Sequence, residues 1–310
     1  MLRKWGLAFW VGIAVLLVVL PMAVHPVLRA EVIGDSAIFF LISWSPMLIG
    51  GIMAWGFVKA FGDRDALDLR VTQALIGHPI AREVMGSVLF LVGFVLCMFL
   101  LSLIFGMYEA EIGADLAMSV ALVSRLLFLF TLPMLFFDRS GLTVDGRGTD
   151  MPVLILKVTE SWRWLGLLPV ALVLVLIGVL LMPNIAPPPL SVALVGFLLA
   201  FTIIALCEEI FFRATLQTRM ESLMGRWGGI VSTSVVFALT YALIQPFDAV
   251  SQLPGYDILH NTGLALLTYA TAGLLYGYLW SCFRNVWINV IMRVGMFLLI
   301  MPPDLHIGLP

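Results

Sequence analysis

The sequence predicts an all-α polytopic membrane protein with about nine transmembrane helices. Three observations carry that expectation. Of the 310 residues, 62% are hydrophobic and only 12% charged, where a soluble domain carries about a quarter charged residues. The deficit of charge runs along the whole chain, which excludes a soluble domain held by a single anchor. Apolar runs of the roughly 20 residues that a bilayer requires recur from one end to the other.

Taken in order, the runs are residues 6–24, 36–58, 84–108, 114–137, 164–183, 190–213, 227–247, 263–282 and 285–303. The first follows Arg3 and Lys4 like a signal peptide, but it is too long for an h-region and no small-x-small cleavage site follows. It is expected to be a retained helix. The linker "MPNIAPPPL", Met182–Leu190, separates the fifth and sixth runs, because its prolines forbid one continuous helix. Asp138–Arg163 is the longest polar stretch and reads as a loop. With the N-terminus placed inside, the inner segments carry Arg3, Lys4, Lys59, Arg64, Arg70, Arg82, Arg139, Arg147, Lys157, Arg163, Arg219, Arg226 and Arg284, and the outer ones carry only Arg29. That bias predicts a cytoplasmic N-terminus and an outside C-terminus in the cell (plasma or bacterial inner) membrane.

A net charge of −2 gives no nucleic-acid partner. Cys97, Cys207 and Cys282 lie in or beside apolar runs with neither disulfide-framework nor metal spacing. They read as small core residues.

The stretch "CEEIFFRATLQ" places Glu208, Glu209 and Arg213 in or at the end of a span, and Arg125 and Arg293 fall within others. Five unpaired charges would cost on the order of 12–17 kcal/mol on insertion scales, more than the stability of a typical domain. They must pair, line a wet cavity or reach an interface, and Arg213 is expected to snorkel toward the cytoplasmic side. Glu209 and Arg213 are i,i+4 on one face, whereas Glu208 points about 100° away and should have other neighbours. Ser234, Phe237, Tyr241 and Gln245 form a semi-polar stripe, and Asn289, Arg293 and Phe297 a second one. Gly273, Gly277 and Ser281 give a small-xxx-small face that allows close helix approach. The competing structural reading makes Glu208, Glu209, Arg213 and Arg293 an ion-pair knot that sets helix register. Tyr241 then reads as packing and Arg125 as a structural ion pair.

These residues resemble the CPBP intramembrane metalloproteases, which include CAAX-type prenyl-protein endopeptidases and bacteriocin-immunity (Abi) proteins. That family carries EExxxR, FxxxH and HxxxN/D on successive helices. Glu208, Glu209 and Arg213 match the first motif, and "EEIFFRATLQTRM" matches its surroundings. "FALTY" keeps Phe237 but has Tyr241 in place of histidine. "NVWINVIMRVGMF" puts Arg293 at the third motif's histidine and Phe297 at its asparagine. The resemblance covers about residues 190–300. It implies a CAAX-protease-like core at 190–303 after N-terminal transmembrane helices at 1–189, all within one integral membrane domain.

The resemblance further implies that Glu208 activates a hydrolytic water, supported by Glu209 and Arg213, with a divalent metal such as zinc. Zinc sites take three ligands from His, Cys and Asp/Glu, yet His25, His78, His260 and His306 all fall outside the bilayer core. A permanent cation at Arg293 repels a metal, pairs with a glutamate instead, and weakens it as a base. No cofactor is therefore expected. Catalytic positions are Glu208, Glu209, Arg213, Tyr241 and Arg293, and substrate-binding positions are Phe237, Asn289 and Phe297. Three functions stay open: an intramembrane endopeptidase, a non-proteolytic pseudoenzyme, and a transporter titrating at Glu208/Glu209. The pseudoenzyme would bind a membrane peptide, a partner subunit or lipid; the transporter should show broken helices or repeats.

Overall fold

The computed structural model describes residues 6–35, 44–105, 110–139, 156–181, 191–248 and 258–300. Among them every regular element is a helix. Seven helices are long and apolar enough to cross a bilayer: Leu7–Val24, Ile80–Ile104, Met118–Phe137, Ser161–Leu181, Leu194–Met224, Arg226–Ile244 and Ile258–Phe283. The second and last expected runs are the shorter apolar helices Ser45–Phe61 and Val286–Leu299. At 1.5 Å per residue they fall somewhat short of the ~30 Å hydrocarbon core. The chain is an all-α integral membrane protein. Residues 36–43 of the second run and the linker 182–190 lie outside the described residues, as does His306.

The helices are α1 (Leu7–Val24), α2 (Pro26–Gly34), α3 (Ser45–Phe61), α4 (Arg64–Ala74), α5 (Ile80–Phe105) and α6 (Ala110–Arg125). A 3₁₀ run, Ser161–Gly166, leads into α7 (Leu167–Leu181). Then follow α8 (Val192–Glu209), α9 (Thr218–Met224), α10 (Arg226–Asp248), α11 (Ile258–Phe283) and α12 (Val286–Ile300). Wide-turned π segments continue two of them, Leu126–Thr131 after α6 and Ile210–Gln217 after α8, and a further one spans Met134–Arg139.

Local chemistry sets the boundaries. The side chains of His25, Asp63 and Ser191 accept from the first-turn amides of α2, α4 and α8. Gly225, at φ 81°, ends α9 in a conformation other residues adopt with strain, and lets the chain turn into α10. Arg284, between α11 and α12, has φ 46° without being glycine. Arg163 holds the turn, donating to the carbonyls of Phe283 (2.8 Å) and Arg284. Burial alone would lower the Arg284 pKa, but Glu221 (2.5 Å) and Asp68 (3.3 Å) raise it above its usual value.

The exterior is apolar, with Leu16, Val19, Leu89 and Leu199 facing outward, and the polar groups lie inside. One core joins α3, α7, α11 and α12 through Ala54, Val173, Leu275 and Met292. A second joins α5, the π segment after α8, and α10 through Phe94, Phe211, Phe212 and Phe237. Between them α10 and α11 approach closely. A Cβ on Gly273 would lie 3.2 Å from Ser234, and one on Gly277 2.9 Å from the Gln217 side chain. The small-residue face read from the sequence is this contact.

Candidate functional site

Glu208 and Glu209 are the last residues of α8, and the wide turn opens at Ile210. In that turn the amide of Thr218 reaches back five residues to the Arg213 carbonyl. Arg125 likewise ends α6, just before the π segment Leu126–Thr131, where the amide of Leu132 bonds the Leu127 carbonyl. Wide turns of this kind are frequent at functional sites. The two at Leu126 and Ile210 follow directly on the buried charges Arg125 and Glu209.

The two carboxylates have different neighbours, as their angular separation requires. Glu208 accepts at Oε1 from Arg125 Nε (2.6 Å), and at Oε2 from the Tyr241 hydroxyl (2.6 Å) and Arg293 Nη2. Glu209 accepts at Oε1 from Arg293 Nη1 (3.2 Å) and at Oε2 from Asn289 Nδ2 (2.9 Å). Arg213 Nε stands 3.5 Å from the same Oε2. Arg293 therefore bridges the pair, and it also donates to the Tyr241 oxygen at 2.6 Å. Phe237 forms the floor, with the Arg213 and Arg293 guanidinia 5.3 and 5.5 Å from its ring centre.

Glu208, Glu209, Arg213 and Asn289 are wholly buried, and Arg125 and Arg293 nearly so. Arg213 does not snorkel. It lies beneath the surface between Phe237 and Tyr276 because its i,i+4 carboxylate is itself buried. Phe297 departs from the site: its ring stacks on Phe201 (4.3 Å) and Phe197 (5.2 Å), a turn beyond Arg293. Ser234 packs at Gly273, and the side chain of Gln245 lies outside the described residues.

Arg125 was legible only as a structural ion pair, yet it is a direct partner of Glu208. The signal was its isolation on α6, which forces it to find a carboxylate on another helix. Tyr276 and Gln217 were not singled out. Tyr276 accepts from Asn289 through its carbonyl (3.0 Å), and Gln217 bonds the Gly277 carbonyl (2.8 Å). His25, His78 and His260 lie elsewhere, at the α2 cap, on Glu83 and on Glu31.

Residues 188–298 match the family model described as type II CAAX prenyl endopeptidase, Rce1-like. The match spans a little over a third of the chain, so within this membrane protein it is that segment which is similar to the CAAX prenyl endopeptidases. No curated protein and no solved structure gives a significant match. Arg125 comes from outside the matched segment, so helices before the core complete its charged centre.

The resemblance implies a divalent metal. Among the described residues no three His, Cys, Asp or Glu side chains converge as a metal would need. The two carboxylates that do meet are held by Arg125, Arg213 and Arg293, so a dication would enter beside three fixed cations. This donor set does not fit the metal.

Proposed function

We propose that the CAAX-protease-like core holds a membrane-associated peptide or partner subunit without hydrolysing it. The observation that carries this reading is the occupation of Glu208, whose two oxygens are taken by Arg125, Tyr241 and Arg293. A general base must present an oxygen to a positioned water, and this one is turned to fixed donors on three other helices. Tyr241 and Arg293 stand where the resemblance expects histidines. In this role Glu208, Glu209, Arg213, Tyr241 and Arg293 are the frame of a former active site, with Phe237 and Asn289 at its wall, and no metal is required. The loop-charge bias supports a cytoplasmic N-terminus and a site toward the cytoplasmic side. Membrane lipid and a lipidated or membrane-bound peptide are the partners that suit such a setting.

The test uses the full-length protein in lipid nanodiscs with farnesylated peptides that carry a photo-crosslinker. Crosslinked but intact peptide is the expected result. Cleavage that disappears in Glu208→Gln would overturn the reading and restore a protease.

A further inference from the structure

A cavity of about 330 Å³, whose lining shares no residue with the charged centre, lies where the C-terminal end of α3 meets the start of α4 and the end of α11. Its lining includes Trp55, Lys59, Arg64, Asp65, Tyr278 and Cys282. Lys59 lies 5.0 Å over the Trp55 ring, and no carboxylate among the described residues pairs with it. Arg64 has only a 3.4 Å contact with Asp68. Behind the wall, Arg226 donates to Ser281 Oγ (2.9 Å) and Cys282 Sγ (3.3 Å) and covers Tyr278 at 5.2 Å. It too lacks a carboxylate partner among the described residues. The lining thus carries two cations, Lys59 and Arg64, and two carboxylates, of which Asp65 is exposed and Asp63 caps α4.

The track leading to this cavity is apolar. Leu48, Ile52 and Trp55, each more than half exposed, follow one another at i, i+4 and i+7 on α3 and end at Lys59. A membrane helix that presents an apolar stripe, then an indole and then a lysine is arranged for hydrocarbon followed by headgroup. Lysine and arginine side chains at the ends of membrane helices take lipid phosphates. A headgroup of negative charge alone would meet Asp65, whereas one carrying a primary ammonium would donate to it. A quaternary ammonium cannot donate such a bond.

We propose that this cavity binds a zwitterionic phospholipid headgroup of the phosphoethanolamine type. The phosphate lies at Lys59 and Arg64, the ammonium at Asp65, and an acyl chain along Leu48 and Ile52. The site is independent of the charged centre and of any function proposed for it.

The experiment is native mass spectrometry and thermal unfolding of the delipidated full-length protein with phosphatidylethanolamine, phosphatidylglycerol, soluble phosphoethanolamine or inorganic phosphate. One phosphatidylethanolamine per chain should be retained, about tenfold more tightly than phosphatidylglycerol. The soluble compounds should leave the unfolding temperature unchanged. Lys59→Ala should weaken both lipids about tenfold, and Asp65→Asn should reverse the preference toward phosphatidylglycerol. Both residues are exposed, so the variants should fold, which an unchanged size-exclusion profile would confirm. Equal binding of the two lipids by the unaltered protein overturns the proposal, as does an unshifted preference in Asp65→Asn. Stabilisation by inorganic phosphate as strong as by lipid overturns the lipid as its source.

Discussion

One guanidinium, that of Arg293, reaches two glutamates that point to different sides of their helix. Only a planar fork with several donors does this, so Arg293→Lys would keep at most one of the two pairings. Breaking a buried pair leaves an uncompensated charge and typically costs about 3–5 kcal/mol, so Arg293→Met should destabilise the protein by that order. Combining it with Glu208→Gln, or with Glu209→Gln, should cost less than the sum by more than about 0.5 kcal/mol in each case. Arg125→Met with Glu208→Gln should show the same coupling, because Arg125 Nε is 2.6 Å from Glu208. Denaturant unfolding in detergent would measure all three cycles. Strict additivity throughout would remove the ion-pair network as an energetic unit. At this scale the pairing of Glu209 with Arg213 was legible, since spacing along one helix fixes it. The partnership of Arg125 with Glu208 was not, because it depends on how two helices dock.

At the level of elements, α10 and α11 bring Phe237, Tyr241 and Tyr276 to the site, and their approach rests on glycine. Gly277 leaves room for Gln217, which spans from the π segment to the Gly277 carbonyl and to Glu221 (2.8 Å each). A Cβ there would stand 2.9 Å from Gln217 Oε1 and 3.2 Å from Ile230. Gly277→Ala should therefore cost about 1–3 kcal/mol by overpacking, and Gly51→Ala, which meets nothing within 4 Å, should be nearly neutral. A thermal-unfolding comparison would decide; equal losses for both would mean that the helices do not meet through Gly277. The small-residue spacing 273–277–281 made this contact visible in the sequence. The π segments were not visible, because a widened turn carries no residue pattern that separates it from an ordinary helical one.

For the molecule as a whole, hydropathy located the spans well because lipid leaves few alternatives to the apolar helix. The second and last runs stand among the described residues as the apolar helices Ser45–Phe61 and Val286–Leu299, and residues 36–43 and 301–303 of those runs lie outside the described residues. Sidedness comes from loop charge. Reporters fused at Lys157 and at His260 should report opposite sides, with Lys157 cytoplasmic; the same side for both would contradict the nine-span arrangement. The resemblance to CAAX proteases was legible because Glu208, Glu209 and Arg213 lie together in the sequence. The replacement of its histidines by Tyr241 and Arg293 could be read there too, but its consequence, a carboxylate pair closed by three arginines, needed the packing of α6 and α12 against α8. The most direct measurement is elemental analysis of the full-length protein purified without chelator. Zinc far below one per chain, unchanged in Glu208→Gln, is the expected result; about one zinc per chain, lost in Glu208→Gln, would contradict a centre held by arginines.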